Sequence, residues 1–450
     1  MGNWPLLQHL IYYETKVTSN GSIVLLESLK WPNLCQLEHS LNESFFNYVR
    51  TIVSIYYQAL PLWVIVLDTT WQKSTDIYLS TFRNGCHEKM LLLAHDKWNQ
   101  FEHIQLSFDA SPKIGSIQSI TWPSNLKTFD GSKNLLSDEK KLETLFLENY
   151  PLSEDLNLNK TGIIIKGIEI LISRSDWSCL RKLDISGNSI HDRELEVLVS
   201  AIKWQLLKDL NLGDTKITVE GIGTLINESY WAILKKLDVS YNSIQNRGVK
   251  ILTGKRWDML ESLSLRGSKM TAEGIETLIH QSNWPQLKKL DISDDLIENE
   301  GLELLSYGNW PLLEHLDLLR TGITAKGVKS MVNLSKWTNL KVLDLSWDKQ
   351  IFDRELGALA SRRWPLLESL YLNETDMTLS DFESLANESS WLNLKEISIK
   401  GHYERDGIET IISKRVNLKR GYNQRFSRGF CKNLYFLRNL LASNSNLIFF

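Results

Sequence analysis

The sequence predicts an α/β repeat protein in which every unit supplies one short strand and one short helix, and three observations predict it. The first is a clock of tryptophans. Trp177, Trp204, Trp231, Trp257, Trp284, Trp310, Trp337, Trp364 and Trp391 follow one another at 27, 27, 26, 27, 26, 27, 27 and 27 residues. The beat runs back through Tyr150, Trp122, Trp98 and Trp71 and reappears at Trp31 and Trp4, so repetition governs nearly the whole chain. The second observation is a fixed apolar pattern after each anchor, and the third is a recurrent helical stripe behind it.

The strand comes first in each unit. Apolar residues stand at the third, sixth, eighth and thirteenth positions after the anchor, as in Leu207, Leu210, Leu212 and Ile217, then Leu234, Leu237, Val239 and Ile244. The pair at six and eight is the period-2 signature of a short strand with one buried face. The helix follows: Gly221, Ile222, Leu225 and Ile226 place apolar residues at i, i+3 and i+4, the stripe of a short amphipathic helix. Thr218, Thr271, Thr324 and Thr378 fall between the two patterns, where a hydroxyl accepts from the orphan N–H groups of a helix start. Pro5, Pro32, Pro123, Pro151, Pro285, Pro311 and Pro365 directly follow the anchor and stop the helix before the next strand. The anchor ring then sits on the corner, placed to stack on its counterparts.

With those positions fixed, Leu180-x-x-Leu183-x-Ile185-x-x-Asn188-x-Ile190 and Leu234-x-x-Leu237-x-Val239-x-x-Asn242-x-Ile244 resemble leucine-rich repeats. The helical second half and the period resemble the ribonuclease-inhibitor-like subfamily, over roughly residues 1–412. The resemblance implies an α/β solenoid, a horseshoe with a parallel sheet on its concave face and helices on its convex face. The ladder asparagine of the family stands at Asn188 and Asn242, while Thr161, Thr215, Ser268, Asp295, Thr321 and Thr375 occupy its slot elsewhere. These side chains still hydrogen-bond backbone groups in the turn after a strand.

Organisation follows from where the pattern breaks. Residues 1–149 read as degenerate units with an irregular insertion near 32–70, 150–412 as regular units, and 413–450 as a basic tail or cap. Residues 51–67 carry no charge, but Gln58, Pro61 and a length just short of the ~20 residues of a spanning helix favour a degenerate unit with a helix over 44–58 and a strand over 62–67. After Glu409 no acidic residue remains, while eight basic residues do; the body before them is acidic by eleven. Aromatics such as Tyr422, Phe426 and Tyr435 interleave those charges, a composition that suits nucleic acid or an anionic membrane; the preferred readings are a decayed last unit covering the open end of the core or an unrelated terminal sequence acquired by frameshift. Cys35, Cys86, Cys179 and Cys431 share no repeat position and no Cys-x-x-Cys spacing, so neither a disulfide framework nor a zinc site is expected. No signal-like segment precedes Trp4-Pro5, and a cytoplasmic setting is expected.

No catalytic or cofactor motif is found, so the expectation is a non-enzymatic protein with no cofactor and no metal. A column of carboxylates does recur at Asp184, Asp238, Asp291, Asp317 and Asp344, each between two strand apolar residues and therefore on the open side of the sheet, with Lys182, Lys236 and Lys289 in the adjacent column to offset them. Tyr241 and Trp347 stand at the strand exit where most units carry Gly or a charge, and Trp347 is off the clock. With His315 and Tyr371, these residues make a candidate partner-binding face for another protein: Asp184, Lys236, Asp238, Tyr241, Lys289, Asp291, His315, Asp317, Asp344, Trp347 and Tyr371. Two other readings accompany the interaction scaffold. Gly357-Ala358-Leu359-Ala360 resembles a motif of plant-pathogen effectors with such repeats, which implies a protein delivered into a host cell or a ubiquitin-ligase adaptor. Some members of the subfamily are GTPase activators, but no arginine finger carries over to this chain.

Overall fold

The computed structural model describes the strand backbones between residues 9 and 108 and, with side chains, residues 126–133, 152–174, 177–200, 204–228, 231–351, 364–375 and most of 391–398. The chain divides into two units, one comprising residues 1–217 with 227–234, the other 218–226 with 235–450.

In the first unit the parallel strands are β1 (His9–Tyr12), β2 (Gln36–Leu41), β4 (Asp76–Thr81), β6 (His103–Phe108), β7 (Thr128–Asp130), β8 (Asp155–Asn157), β9 (Lys182–Asp184) and β10 (Asp209–Asn211), paired in that order. Two strands stand apart: among the described residues β3 (Leu62–Ile65) pairs with β5 (Lys89–Leu92) in a sheet of their own. The insertion near 32–70 therefore carries a strand of its own. The expected helix over 44–58, the tail 413–450 and most of Gly357–Ala360 lie outside the described residues; Leu359 is buried. No helix among the described residues is long and apolar enough to cross a membrane.

The second unit repeats one order: β11 (Lys236–Asp238), α4 (Gln245–Thr253), β12 (Ser262–Ser264), α5 (Ala272–Gln281), β13 (Lys289–Asp291), α6 (Glu298–Leu305), β14 (His315–Asp317), α7 (Ala325–Leu334), β15 (Val342–Asp344), β16 (Ser369–Tyr371) and β17 (Glu396–Ser398). Each strand pairs parallel with the next in exact-register columns, Leu237 opposite Leu263, Leu263 opposite Leu290, and so on to Ile397. Strands of three residues suffice because each of β11 to β16 has one inward side chain: the middle Leu is buried while its two neighbours are not, and in β17 Ser398 is buried beside Ile397. α1 (Ile165–Arg174), α2 (Asp192–Ser200) and α3 (Val219–Glu228) complete the helices described.

Between sheet and helices lies a core to which successive described repeats contribute corresponding residues. Leu287, Leu290, Ile292, Ile297 and Leu302 are all fully buried, and the next repeat's set of Leu313, Leu316, Leu318, Ile323 and Val328 is buried likewise. The anchors complete it: Trp177, Trp204, Trp231, Trp257, Trp284, Trp310, Trp337, Trp364 and Trp391 are buried without exception, and Trp364 stacks on Trp391 at 6.4 Å. Burial of an aromatic of this size removes roughly 150–250 Å² from water, the largest single contribution a repeat makes. The polar edge of the ring is treated unevenly. Trp177 Nε1 donates to Leu171 O at 2.7 Å and Trp257 Nε1 to Leu252 O at 3.3 Å, whereas the indole N–H of Trp231, Trp284, Trp337 and Trp364 has no acceptor among the described residues.

The helix starts correct the expectation from the threonines. Thr218 does cap, accepting from Glu220 N at 3.3 Å, but Thr271 and Thr324 make no side-chain cap bond, and Thr378 lies outside the described residues. An asparagine of the preceding helix caps in their place: Asn246 Oδ1 accepts from Thr271 N at 2.9 Å, and Asn299 Oδ1 accepts from Thr324 N at 2.9 Å and Gly327 N at 3.1 Å. A carboxamide reaching over from the neighbour offers both an acceptor to the amides and a donor to the threonine hydroxyl, which a threonine cannot supply to itself. Gly327 is required there, since a Cβ would stand 2.5 Å from Asn299 Oδ1. α4 and α6 start differently, after Ile244 and Ile297, with Gln245 and Glu298 at φ of 54° and 57°.

Candidate interaction surface

The flanking side chains of each three-residue strand emerge on the face of the sheet opposite the core, and strand register turns them into columns. In the second unit the column after the buried leucine runs Asp238, Ser264, Asp291, Asp317, Asp344, Tyr371, Ser398; the column before it runs Lys236, Ser262, Lys289, His315, Val342, Ser369, Glu396. Ten of the eleven sequence-predicted site residues belong to this unit. Asp291, Asp317 and Asp344 lie on three consecutive strands, Asp238 is separated from them by Ser264, and Tyr371 extends the row beyond Asp344. Asp184 occupies the same column of the first unit, between Asn157 and Asn211.

The carboxylates have a local task that sequence reasoning had not assigned. Asp184, Asp238, Asp291, Asp317 and Asp344 each accept, through Oδ1, from the backbone N–H two residues on, at 2.8–3.1 Å. Asn157 and Asn211 do the same. An Asx turn closes each strand, which accounts for Leu-Asp-Leu as a wording.

The first of the expected lysines is engaged on the neighbouring strand. Lys182 bonds Asp155 at 3.2 Å, not Asp184. In the second unit the neutralised charges form another column, one residue before each strand: Lys235, Glu261, Lys288, Glu314, Lys341, Glu368, Lys395 alternate in sign without a break. Lys235 and Lys288 both reach Glu261, at 2.5 and 2.8 Å, Lys341 reaches Glu314 at 3.0 Å and Lys395 reaches Glu368 at 2.6 Å. The bonds from Lys235 and then Lys288 hold Glu261 down to about 2. Asp317 goes the other way: burial, then the like charges of Asp291 and Asp344, push it up to about 7. Asp344 is raised for the same first reason, and burial lowers His315.

A second strip borders the acids at the strand exits. The residue there has positive φ in every repeat of the unit so described: Tyr241 at 53°, Gly267 at 61°, Asp294 at 56°, Arg320 at 54°, Trp347 at 66° and Glu374 at 54°. Only glycine adopts this region freely, so an aromatic ring at two of the positions carries a conformational cost. Tyr241 Oη donates to Asp294 Oδ2 at 2.9 Å, Arg266 to the same oxygen at 2.8 Å, and Arg320 Nη1 to Oδ1 at 3.3 Å. The two guanidiniums lie over rings, Arg266 over Tyr241 at 5.4 Å and Arg320 over Trp347 at 5.0 Å. Tyr241 remains 49% exposed and Trp347 44%. The sequence flagged both rings, but missed Arg266, Asp294 and Arg320, whose signal is their shared strand-exit register.

Among the described residues no group of three or more His, Cys, Asp or Glu converges in the manner of a metal site.

Comparison with known proteins places the repeats. The Leucine Rich repeat family matches residues 178–198 and 233–252. No curated protein matches the chain. Solved structures similar to it include a chain of the Rad7–Elc1 complex of yeast, 18% identical over 63% of this chain and 79% of the other with a TM-score of 0.43, and the complex of TLR13 with a single-stranded RNA, 19% identical over 84% of this chain and 48% of the other with a TM-score of 0.40. The matched segments hold β9 with Asn188 and β11 with Asn242, and the same strand, turn and buried anchor recur in the described units around them: these segments are leucine-rich repeats, set in a longer α/β repeat series.

Proposed function

We propose that this protein is a non-enzymatic interaction scaffold that engages another protein through the open sheet face of its second unit, between Lys236 and Ser398. The observation that carries the reading is the coexistence, along one regular run of repeats, of a self-neutralised charge column at the strand entries, a row of Asp291, Asp317 and Asp344 that makes no ion pair among the described residues, and two exposed aromatic rings held at positive φ. A surface needed only for folding would place glycine under the turns and offset all its acids. Trp and Tyr dominate binding hot spots because each contributes a large rigid area at small entropic cost.

The test compares the full chain with Trp347→Ala and Tyr241→Ala as baits in a cell extract of its source. Specific partners captured by the parent and lost by both variants support the face; equal capture by all three removes it. The loss expected for a central aromatic is roughly 10- to 100-fold in affinity, from ~2 kcal/mol or more.

A further inference from the structure

The proposed face leaves open what kind of partner it fits, and its charges narrow the choice. Asp291, Asp317 and Asp344 face one another across successive strands, at a spacing of about 4.8 Å, and each commits one oxygen to its own turn. Beyond the turn bond, Asp291 accepts from the hydroxyls of Ser293 and Ser264. None of the three is in an ion pair with any described lysine or arginine. The contrast lies one column away, where the same strands offset Lys against Glu throughout.

Counting the groups around the row, Lys289, Arg266 and Arg320 stand against Asp291, Asp294, Asp317 and Asp344, and the two arginines already share Asp294. The balance is negative. The bordering rings add a separate preference, since a guanidinium over an aromatic face is attracted by its quadrupole. Trp347 and Tyr241 already hold one each from this chain while keeping nearly half their surfaces exposed. Tyr371 closes the row beyond Asp344, with its hydroxyl fixed on Glu396 at 2.9 Å.

We propose that the open face of the second unit receives a protein segment bearing arginine or lysine, its cationic side chain laid along Asp291, Asp317 and Asp344 and bordered by the rings of Trp347 and Tyr371. The incoming cation relieves the mutual repulsion of the three carboxylates, and its stem or plane covers the exposed ring. An acidic segment meets the row with like charge and is rejected. This inference rests on the proposed scaffold function and specifies the chemistry of its partner.

The experiment is fluorescence anisotropy of a fluorescein-labelled hexa-arginine peptide titrated with the full chain at 150 mM salt, beside hexa-citrulline and hexa-glutamate of the same length. Saturable binding of hexa-arginine alone is expected, weakened at least 5-fold by Asp317→Asn and by Trp347→Ala, and unchanged by Asp258→Asn, which removes a carboxylate paired to Arg256 away from the face. Asp344→Asn and Trp347→Phe provide the same contrast if either first variant loses its circular-dichroism signal: the former weakens binding and the latter largely preserves it. No saturable binding, equal binding of hexa-citrulline, or equal loss with Asp258→Asn overturns the proposal. If the two aromatic variants lose a protein partner while hexa-arginine fails to bind, the face stands and its cationic chemistry falls; the opposite pair of results removes the scaffold reading and keeps the cationic site.

Discussion

Asp295 and Asp348 are buried to 0% and 4% exposure in the slot that Asn188 and Asn242 fill. In that slot Asn188 accepts from Thr161 N and Gly162 N through Oδ1 and donates through Nδ2 to Leu158 O and Ile185 O. Asp295 keeps the accepting half, from Met270 N and the Ser268 hydroxyl, and Asp348 keeps it toward Thr321 and Gly322. A carboxylate has nothing to donate. Burial pushes Asp295 up to about 7 and Asp348 to about 6, above their unfolded value of 3.8. A raised folded pKa contributes stability that is complete below 3.8 and is lost as pH rises through 6 to 7. His315, lowered by burial, and Glu261, near 2, act in the opposite sense at lower pH. Thermal unfolding should therefore occur at higher temperature at pH 6.5 than at pH 8, and Asp295→Asn should flatten that slope and stabilise the protein at pH 8 by roughly 1–3 kcal/mol. A variant less stable than the parent at pH 8 would refute the account. Trp284 gives a companion test: Trp284→Ala should cost roughly 3–5 kcal/mol as a large core truncation, and Trp284→Phe clearly less, because the indole N–H it discards has no acceptor among the described residues.

At the scale of the element, strand and helix were legible because each has its own period, two residues against 3.6. Of the caps only Thr218 was legible; at α5 and α7 the capping atom comes from another repeat. Asn246 and Asn299 hold the starts of α5 and α7 from the helices before them, and no local motif announces a bond between residues 25 positions apart. The pattern recurs at every second repeat. So does the alternation of amide or acid with hydroxyl in the turn slot, Asn242, Ser268, Asp295, Thr321, Asp348, Thr375, and so do the two kinds of helix start. The structural period is thus a pair of repeats, and its trace in the sequence was the alternation of 26 and 27 residues between Trp231 and Trp337. Asn299→Ala should destabilise the second unit by roughly 1–2 kcal/mol, the usual size of a lost cap, whereas Thr324→Ala should cost less, since Thr324 makes no cap bond of its own. Denaturant midpoints for the two variants decide it, and an equal or larger loss for Thr324→Ala would show that the threonine caps after all.

Across the whole molecule, the repeat was visible wherever its anchors were, and the interruption was visible as the 40-residue gap between Trp31 and Trp71; that the gap brings in a strand paired outside the main series was not, because pairing is a long-range choice. The site was half legible for a related reason. Single positions such as Trp347 and Asp317 stood out against the repeat, but whether an acid is offset depends on neighbours 27 residues away, as Glu261 and Lys288 show. The same nearest-neighbour logic sets how damage travels. Each strand pairs with the ones beside it and each helix packs on adjacent helices, so a lost core residue weakens its own repeat and its two interfaces first. For Trp284→Ala, native-state hydrogen exchange should quicken most over β13 and α6, next over β12, α5, β14 and α7, and least over β8 and β9 in the first unit. Uniform loosening of all these segments would mean that the chain unfolds as a single cooperative body, and that the repeat is a unit of sequence without being a unit of stability.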